Sequence, residues 1–236
     1  MLKAIFFDLD GTLLPMDQEQ FTRGYFKVLA GKLSRHGYDP KQLVEAMGSG
    51  TAAMVGNDGS YTNEHIFWNT FAELIGPRVY DDRPLFDAFY ATDFNALQSL
   101  CGHNLQAAEC VKEFKQRGIS LILASNPVFP MTAQINRMNW AGIDEADFEL
   151  VTSYENSCYC KPNPDYYRDL LKKVGFAPAE CLMVGNDVGE DMIAEEAGMR
   201  VFLLTNCLIN KERRDISRYP RGNYQQLLQL VARDKL

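Results

Sequence analysis

Four short clusters in the 236-residue sequence hold residue types that could do chemistry together. Asp8-Leu9-Asp10-Gly11-Thr12 sets two carboxylates at i and i+2 ahead of a glycine turn, so both can aim at one point. Ser125-Asn126-Pro127 offers a hydroxyl and an amide, and Lys161-Pro162-Asn163-Pro164-Asp165 offers a cation at the opening of a helix. Asn186-Asp187-Val188-Gly189-Glu190-Asp191 supplies further acids. Each cluster alone has an ordinary structural explanation: a capped strand end, a turn, a solvated lysine, or acids in a first helical turn. Taken together, Asp8, Asp10, Asp187 and Asp191 would repel one another unless a cation sat among them. Hard oxygen ligands of this kind select Mg²⁺. Ser125 and Lys161 are then suitable donors to a dianionic phosphoryl group.

These clusters must be carried by elements that end side by side. Apolar, β-branched and aromatic runs at 2–8, 119–124, 181–184 and 201–204 read as buried strands, and each stops at a polar cluster. Helical patterns at 105–117, 129–140, 163–174 and 189–197 alternate with them, and a last helix is expected near 223–234. This alternation predicts an α/β fold with a doubly wound parallel sheet, in which ligands bind beyond the carboxyl ends of the strands. Residues 16–104 break the pattern with helical stretches at 17–36, 40–48, 62–75 and 82–98. A connection of about ninety residues is too long for a loop in a compact domain. It is expected to be an all-helical cap domain inserted after the first strand, leaving 1–15 and 105–236 as the catalytic core. Between Gly48 and Asn63 the run of glycines and small polar residues predicts a substrate-facing loop, with Thr51, Asn57 and Asp58 as first contacts.

Composition removes several function classes. Hydrophobic residues make up 46% and charged residues 23%, ordinary for a globular chain and unlike a disordered or collagenous one. A net charge of −7 argues against a nucleic-acid partner, which needs a basic face, but not against a small anion held by a few cations. The apolar run Ala4-Ile5-Phe6-Phe7 is cut by Asp8 and Asp10, which leaves no export segment or membrane span there. Among the six cysteines, Cys158-Tyr159-Cys160 lacks the two-residue spacer of zinc and redox sites, and His36, His65 and His103 are scattered. Reduced, structural thiols and a cytoplasmic location are expected.

In its ordered motifs the chain resembles the haloacid dehalogenase-like (HAD) superfamily, phosphatase branch, with the inserted helical cap of its first cap class. The Asp8-x-Asp10-Gly11-Thr12 start, Ser125, Lys161 in Lys-Pro-x-Pro-Asp, and Gly185-Asn186-Asp187 with Asp191 four residues on all occur in sequence order. One departure is Pro15-Met16-Asp17, where relatives often carry Asp-Ser, and it alters the hinge into the cap. The resemblance implies a Rossmann-like HAD core and a Mg²⁺-dependent phosphatase that hydrolyses a small phosphorylated metabolite through an aspartyl-phosphate. It implies Asp8 as nucleophile and Asp10 as acid and base. It implies Mg²⁺ held by Asp8, the Asp10 carbonyl and Asp187, supported by Asp191 with Glu190, and Ser125, Asn126 and Lys161 binding the phosphoryl oxygens. A monomer or weak homodimer is expected. The same residues also suit a phosphomutase of the β-phosphoglucomutase type or a non-catalytic binding protein on the same fold. A phosphonatase would need a cap lysine such as Lys27, Lys32 or Lys41, and dehalogenases lack an acid equivalent to Asp10.

Overall fold

All four residues of the first strand, β1 (Ala4–Phe7), are buried, because its side chains pack alternately into helical layers on both faces of one sheet. A computed structural model describes residues 2–233. The remaining strands are β2 (Ser120–Leu123), β3 (Leu150–Val151), β4 (Cys181–Gly185), β5 (Arg200–Leu204) and β6 (Arg221–Gly222). They pair in the order β3-β2-β1-β4-β5-β6, every pair parallel. The strand order reverses between β1 and β4, where doubly wound sheets open a crevice at their carboxyl ends. Ile5, Phe7, Leu123 and Val184 face helices α5 (Leu105–Gln116), α6 (Met131–Trp140) and α8 (Tyr224–Ala232). Phe6, Ile122 and Met183 face α7 (Pro164–Val174), which contributes Tyr166, Tyr167 and Leu170. The expected last helix near 223–234 corresponds to α8, and position 234 lies outside the described residues.

The insertion between β1 and β2 is helical: α1 (Gln18–Leu33), α2 (Pro40–Val55), α3 (Asn63–Ile75) and α4 (Arg83–Ala91), with short 3-10 turns between them and at Asp93–Leu100. Its two connections run side by side. Met16 bridges antiparallel to Cys101, and the Gly102 amide donates to the Pro15 carbonyl at 2.7 Å. A second tie is Asn63, fully buried at the start of α3, whose Nδ2 donates to the Pro127 carbonyl at 3.2 Å. The Asn63 backbone amide also reaches the Ser157 carbonyl at 2.8 Å, so the cap sits closed over the core.

Three expectations need correction. The stretch from Gly48 is not a loop: α2 continues to Val55, and only 56–62 connect it to α3. Gly50 is buried, and a Cβ there would lie 2.7 Å from the Phe67 ring, so the glycine is what lets α2 and α3 close on each other. Of the three expected contacts, only Thr51 reaches the cap–core cavity. The Asn57 side chain is buried, bonding Tyr61 and Asn63, and Asp58 is exposed. The second correction is at 189–197, where a 3-10 helix spans only Met192–Ala197. The Asp187 carboxylate accepts from the Gly189 and Glu190 amides at 2.7 and 3.0 Å, an Asx turn that competes with helix formation. The third is that β3 and β6, two residues each, are absent from the predicted strands, being too short to show a period.

Among the described residues, no helix is long and apolar enough to cross a membrane. All six cysteines are unpaired, and burial pushes the Cys110 and Cys160 thiols up to about 12, so these two stay protonated at neutral pH.

Candidate active site

Asp8 leaves β1 at the strand-order reversal, and its backbone amide donates to the Val184 carbonyl of β4. The chain turns at once through Gly11, whose φ of 88° and contact with Asn186 exclude a side chain: a Cβ would lie 2.4 Å from Asn186 Nδ2. Asn186 is itself pinned, accepting from the Thr12 hydroxyl at 2.8 Å and donating to the Cys207 carbonyl at 2.7 Å. The loops after β1 and β4 are thereby locked together. This sets the Asp8 loop beside the loop that carries Asp187 and Asp191.

Lys161 is the hub. Its ammonium group is fully buried and lies 2.9 Å from Asp8 Oδ1 and 2.6 Å from Asp191 Oδ1. Burial alone would lower the Lys161 pKa, but the Asp191 and Asp8 carboxylates outweigh it and raise the pKa well above its ordinary value. The second oxygen of Asp191 accepts from the Asp187 amide at 2.9 Å. Both Asp191 oxygens are therefore engaged in orienting Lys161 and the Asp187 loop. Burial raises the Asp191 and Glu190 carboxyls from their usual range.

Ser125 follows β2 and is buried, and its backbone is held from two sides. The Tyr166 and Thr152 hydroxyls donate to the Ser125 carbonyl at 2.7 and 2.8 Å. The Ser125 hydroxyl makes no hydrogen bond with protein among the described residues, which leaves it available to a ligand. Asn126 plays a different part. Its Oδ1 accepts from the Lys161 amide at 3.3 Å, and its Nδ2 donates to Glu190 Oε2 at 3.1 Å. It braces the Lys161 backbone and Glu190.

Asp10 carries the feature that sequence reasoning missed. One of its oxygens, Oδ2, pairs with Arg137 of α6, a residue with no exposed surface. The other, Oδ1, is buried with no hydrogen-bond partner. The same guanidinium donates to Gln134 Oε1 and lies 4.5 Å from the Phe129 ring centroid. Enclosure beneath the cap raises the Asp10 carboxyl, Arg137 opposes that, Asp8 adds to it, and the outcome is upward. A signal for Arg137 existed in the sequence. It stands four residues after Ala133 and one before Met138, both on the buried face of α6, where an arginine is out of place unless paired.

Oxygen donors in this site that could serve a metal include the Asp8 and Asp187 carboxylates and the Asp10 carbonyl, which accepts no hydrogen bond among the described residues. No three acidic, His or Cys side chains among the described residues converge on one metal position. Beyond Asp10, Asn126 and Glu190 a cavity of about 230 Å³ extends between cap and core.

A haloacid dehalogenase-like hydrolase family model matches residues 2–198. The glyceraldehyde 3-phosphate phosphatase of Methanothermobacter thermautotrophicus is 27% identical over 215 residues, covering 90% of both chains. A phosphoglycolate phosphatase of Vibrio vulnificus is 28% identical over 214 residues, covering 86% of this chain and 84% of that one. The crystal structure of a HAD phosphatase from Thermococcus onnurineus superposes with a TM-score of 0.59 at 19% identity, covering 98% of each chain, which shows a shared fold. With the family match over most of its length, a six-stranded parallel sheet and a helical insertion directly after the first strand, the chain belongs to the haloacid dehalogenase-like hydrolases, in their phosphatase branch.

Proposed function

We propose that the protein is a cytoplasmic, Mg²⁺-dependent phosphatase that hydrolyses a small phosphorylated metabolite through an aspartyl-phosphate on Asp8. The observation that carries this reading is the unlike treatment of two carboxylates two positions apart. Asp8 is paired with the buried Lys161, and Asp10 is paired through one oxygen with Arg137 while its other oxygen is free. Two carboxyl groups in contrasting surroundings divide into a nucleophile and an acid–base group.

The donor set suits Mg²⁺. This ion is commonly held through one or two carboxylates, with water and phosphate oxygens completing its shell, so a cage of three acidic side chains is not required. Asp8, Asp187 and the Asp10 carbonyl would hold it, and Asp191 would support it through the Asp187 amide. When bound, the ion supplies neutralisation of charge on the phosphoryl oxygens.

The side chains do the rest. Lys161 and the Ser125 hydroxyl donate to the phosphoryl oxygens, and Asn126 keeps Lys161 in place. An Asp8 oxygen attacks phosphorus in line as the phosphorus–ester oxygen bond breaks, and the Asp10 carboxyl gives its proton to the departing oxygen. The resulting Asp10 carboxylate then takes a proton from water as that water attacks phosphorus. The Asp8–phosphorus bond breaks and inorganic phosphate leaves.

The test is incubation of the purified protein and Mg²⁺ with a panel of phosphate monoesters. Phosphate should be released steadily with time, and the peptide carrying Asp8 should gain the mass of one phosphoryl group in quenched samples. Conversion of a sugar phosphate to its isomer without phosphate release would overturn the reading in favour of a mutase.

A further inference from the structure

We infer, on the basis of the phosphatase reading, that the alcohol half of the substrate is an uncharged group of about one ring in size, aromatic or cyclic, and carries no second anion. Three observations lead there.

The first is space and wall chemistry. A cavity of about 150 Å³ lined by apolar side chains already admits benzene. The 230 Å³ here leaves room for a ring with a short substituent. Its walls include Tyr25, Phe67, Trp68, Phe86, Tyr90 and Phe129. The two tyrosine hydroxyls are bonded to each other at 2.7 Å, which satisfies their polar ends and leaves ring surface for a ligand. Trp68 stands edge-on to Phe86 at 5.3 Å, and Phe67 stacks on Phe71 at 5.4 Å, so these walls are braced before any ligand arrives. A preformed aromatic slot receives a flat apolar group with little ordering cost.

The second is charge. No Lys, Arg or His among the described residues lines the cavity, whereas Asp10 and Glu190 do. Of the guanidinium groups beside the lining aromatics, Arg137 pairs with Asp10 and donates to Gln134, and Arg83, lying 4.6 Å over the Trp68 ring, pairs with Glu64 at 3.1 Å. A substrate carboxylate entering here would lose its water, find no cation in the lining and lie beside Glu190.

The third is continuity. Asp10, the proposed proton donor to the leaving oxygen, and Asn126, which braces Lys161, both border the cavity. The leaving group therefore projects into the aromatic slot when the phosphoryl group sits at Asp8. The Vibrio vulnificus relative is named for phosphoglycolate, which carries a carboxylate beside its phosphate. This chain should reject it.

The test compares kcat/KM, with Mg²⁺, for benzyl phosphate, glycerol 3-phosphate and 2-phosphoglycolate, with acetyl phosphate as a small substrate that does not need the cavity. Benzyl phosphate should exceed glycerol 3-phosphate by about tenfold and phosphoglycolate by about 100-fold, in the range that one pocket can discriminate. Thr51→Lys, which adds a cation to the lining on a helix that tolerates lysine, should raise phosphoglycolate turnover and lower that of benzyl phosphate. Calorimetry with benzylphosphonate and phosphonoacetate should give the same order without turnover. If phosphoglycolate equals or exceeds benzyl phosphate while acetyl phosphate is hydrolysed, the inference about the leaving group falls and the phosphatase reading stands. If none of the four compounds, acetyl phosphate included, is hydrolysed, the phosphatase reading falls and takes this inference with it.

Discussion

Arg137 and Asp10, 127 positions apart in the chain, form an ion pair beneath the cap in which the guanidinium holds one carboxylate oxygen and leaves the other unpaired. Burial pushes the Asp10 carboxyl up and Arg137 pulls it down, so this contact sets how readily the group exchanges its proton. Arg137→Met should therefore raise the Asp10 pKa further. In the proposed mechanism the step in which Asp10 acts as base needs the ionised form, so dephosphorylation of Asp8 should slow at neutral pH and recover as pH rises. Rapid-quench measurement of that step across pH checks this, and an unshifted profile would remove Arg137 from the proton chemistry.

Asp10→Asn removes the proton while keeping the size of the side chain. An alkyl phosphate, whose poor leaving group departs unprotonated, should lose at least about 100-fold in turnover, the range typical of general acid catalysis. An aryl phosphate should still phosphorylate Asp8, and because the water step lacks its base, the phosphoenzyme should accumulate and the phenol should appear in a burst. Equal losses for alkyl and aryl esters with no burst would exclude Asp10 from this role.

Removal of divalent metal should abolish turnover. Asp8, Asp187, Glu190 and a phosphate dianion face one buried ammonium group, Lys161, whose charge is already shared with Asp191. EDTA should stop phosphate release, and Mg²⁺ or Mn²⁺ should restore it, since both accept oxygen donors. Full activity in metal-free buffer would contradict the proposed donor set.

Two glycines two residues apart in α2 should respond in opposite directions to the same change. Replacing an exposed helical glycine by alanine stabilises by about 0.5–1 kcal/mol through helix propensity. Gly48→Ala has open space around the new methyl group, so it should raise the unfolding midpoint. Gly50→Ala brings that methyl group to 2.7 Å from Phe67. Overpacking of about 1–3 kcal/mol exceeds the propensity gain, so the midpoint should fall. Thermal unfolding of the two variants side by side decides between this packing role and a surface loop.

The local chemistry of the chain is legible in the amino-acid sequence itself. Runs such as Ala4-Ile5-Phe6-Phe7 announce buried strands because apolar period and β-branching are properties of neighbouring residues. The polar residues that stop those runs, Asp8, Ser125 and Asp187, mark the carboxyl edge of a parallel sheet for the same reason. The Gly48-Ser49-Gly50 stretch misleads because glycine has two uses, turning a chain and admitting a neighbour, and only the presence of Phe67 from α3 distinguishes them. Strands β3 and β6 are invisible in the sequence because two residues have no period, and they are strands only through pairing with β2 and β5. The partners of the site residues are likewise a tertiary matter. Lys161 meets Asp8 across 153 positions and Arg137 meets Asp10 across 127, and such contacts arise where the sheet and its flanking helices bring remote segments together. Sequence determined which groups could do the chemistry. Folding decided which carboxylate each cation holds, and that pairing separates the environments of Asp8 and Asp10.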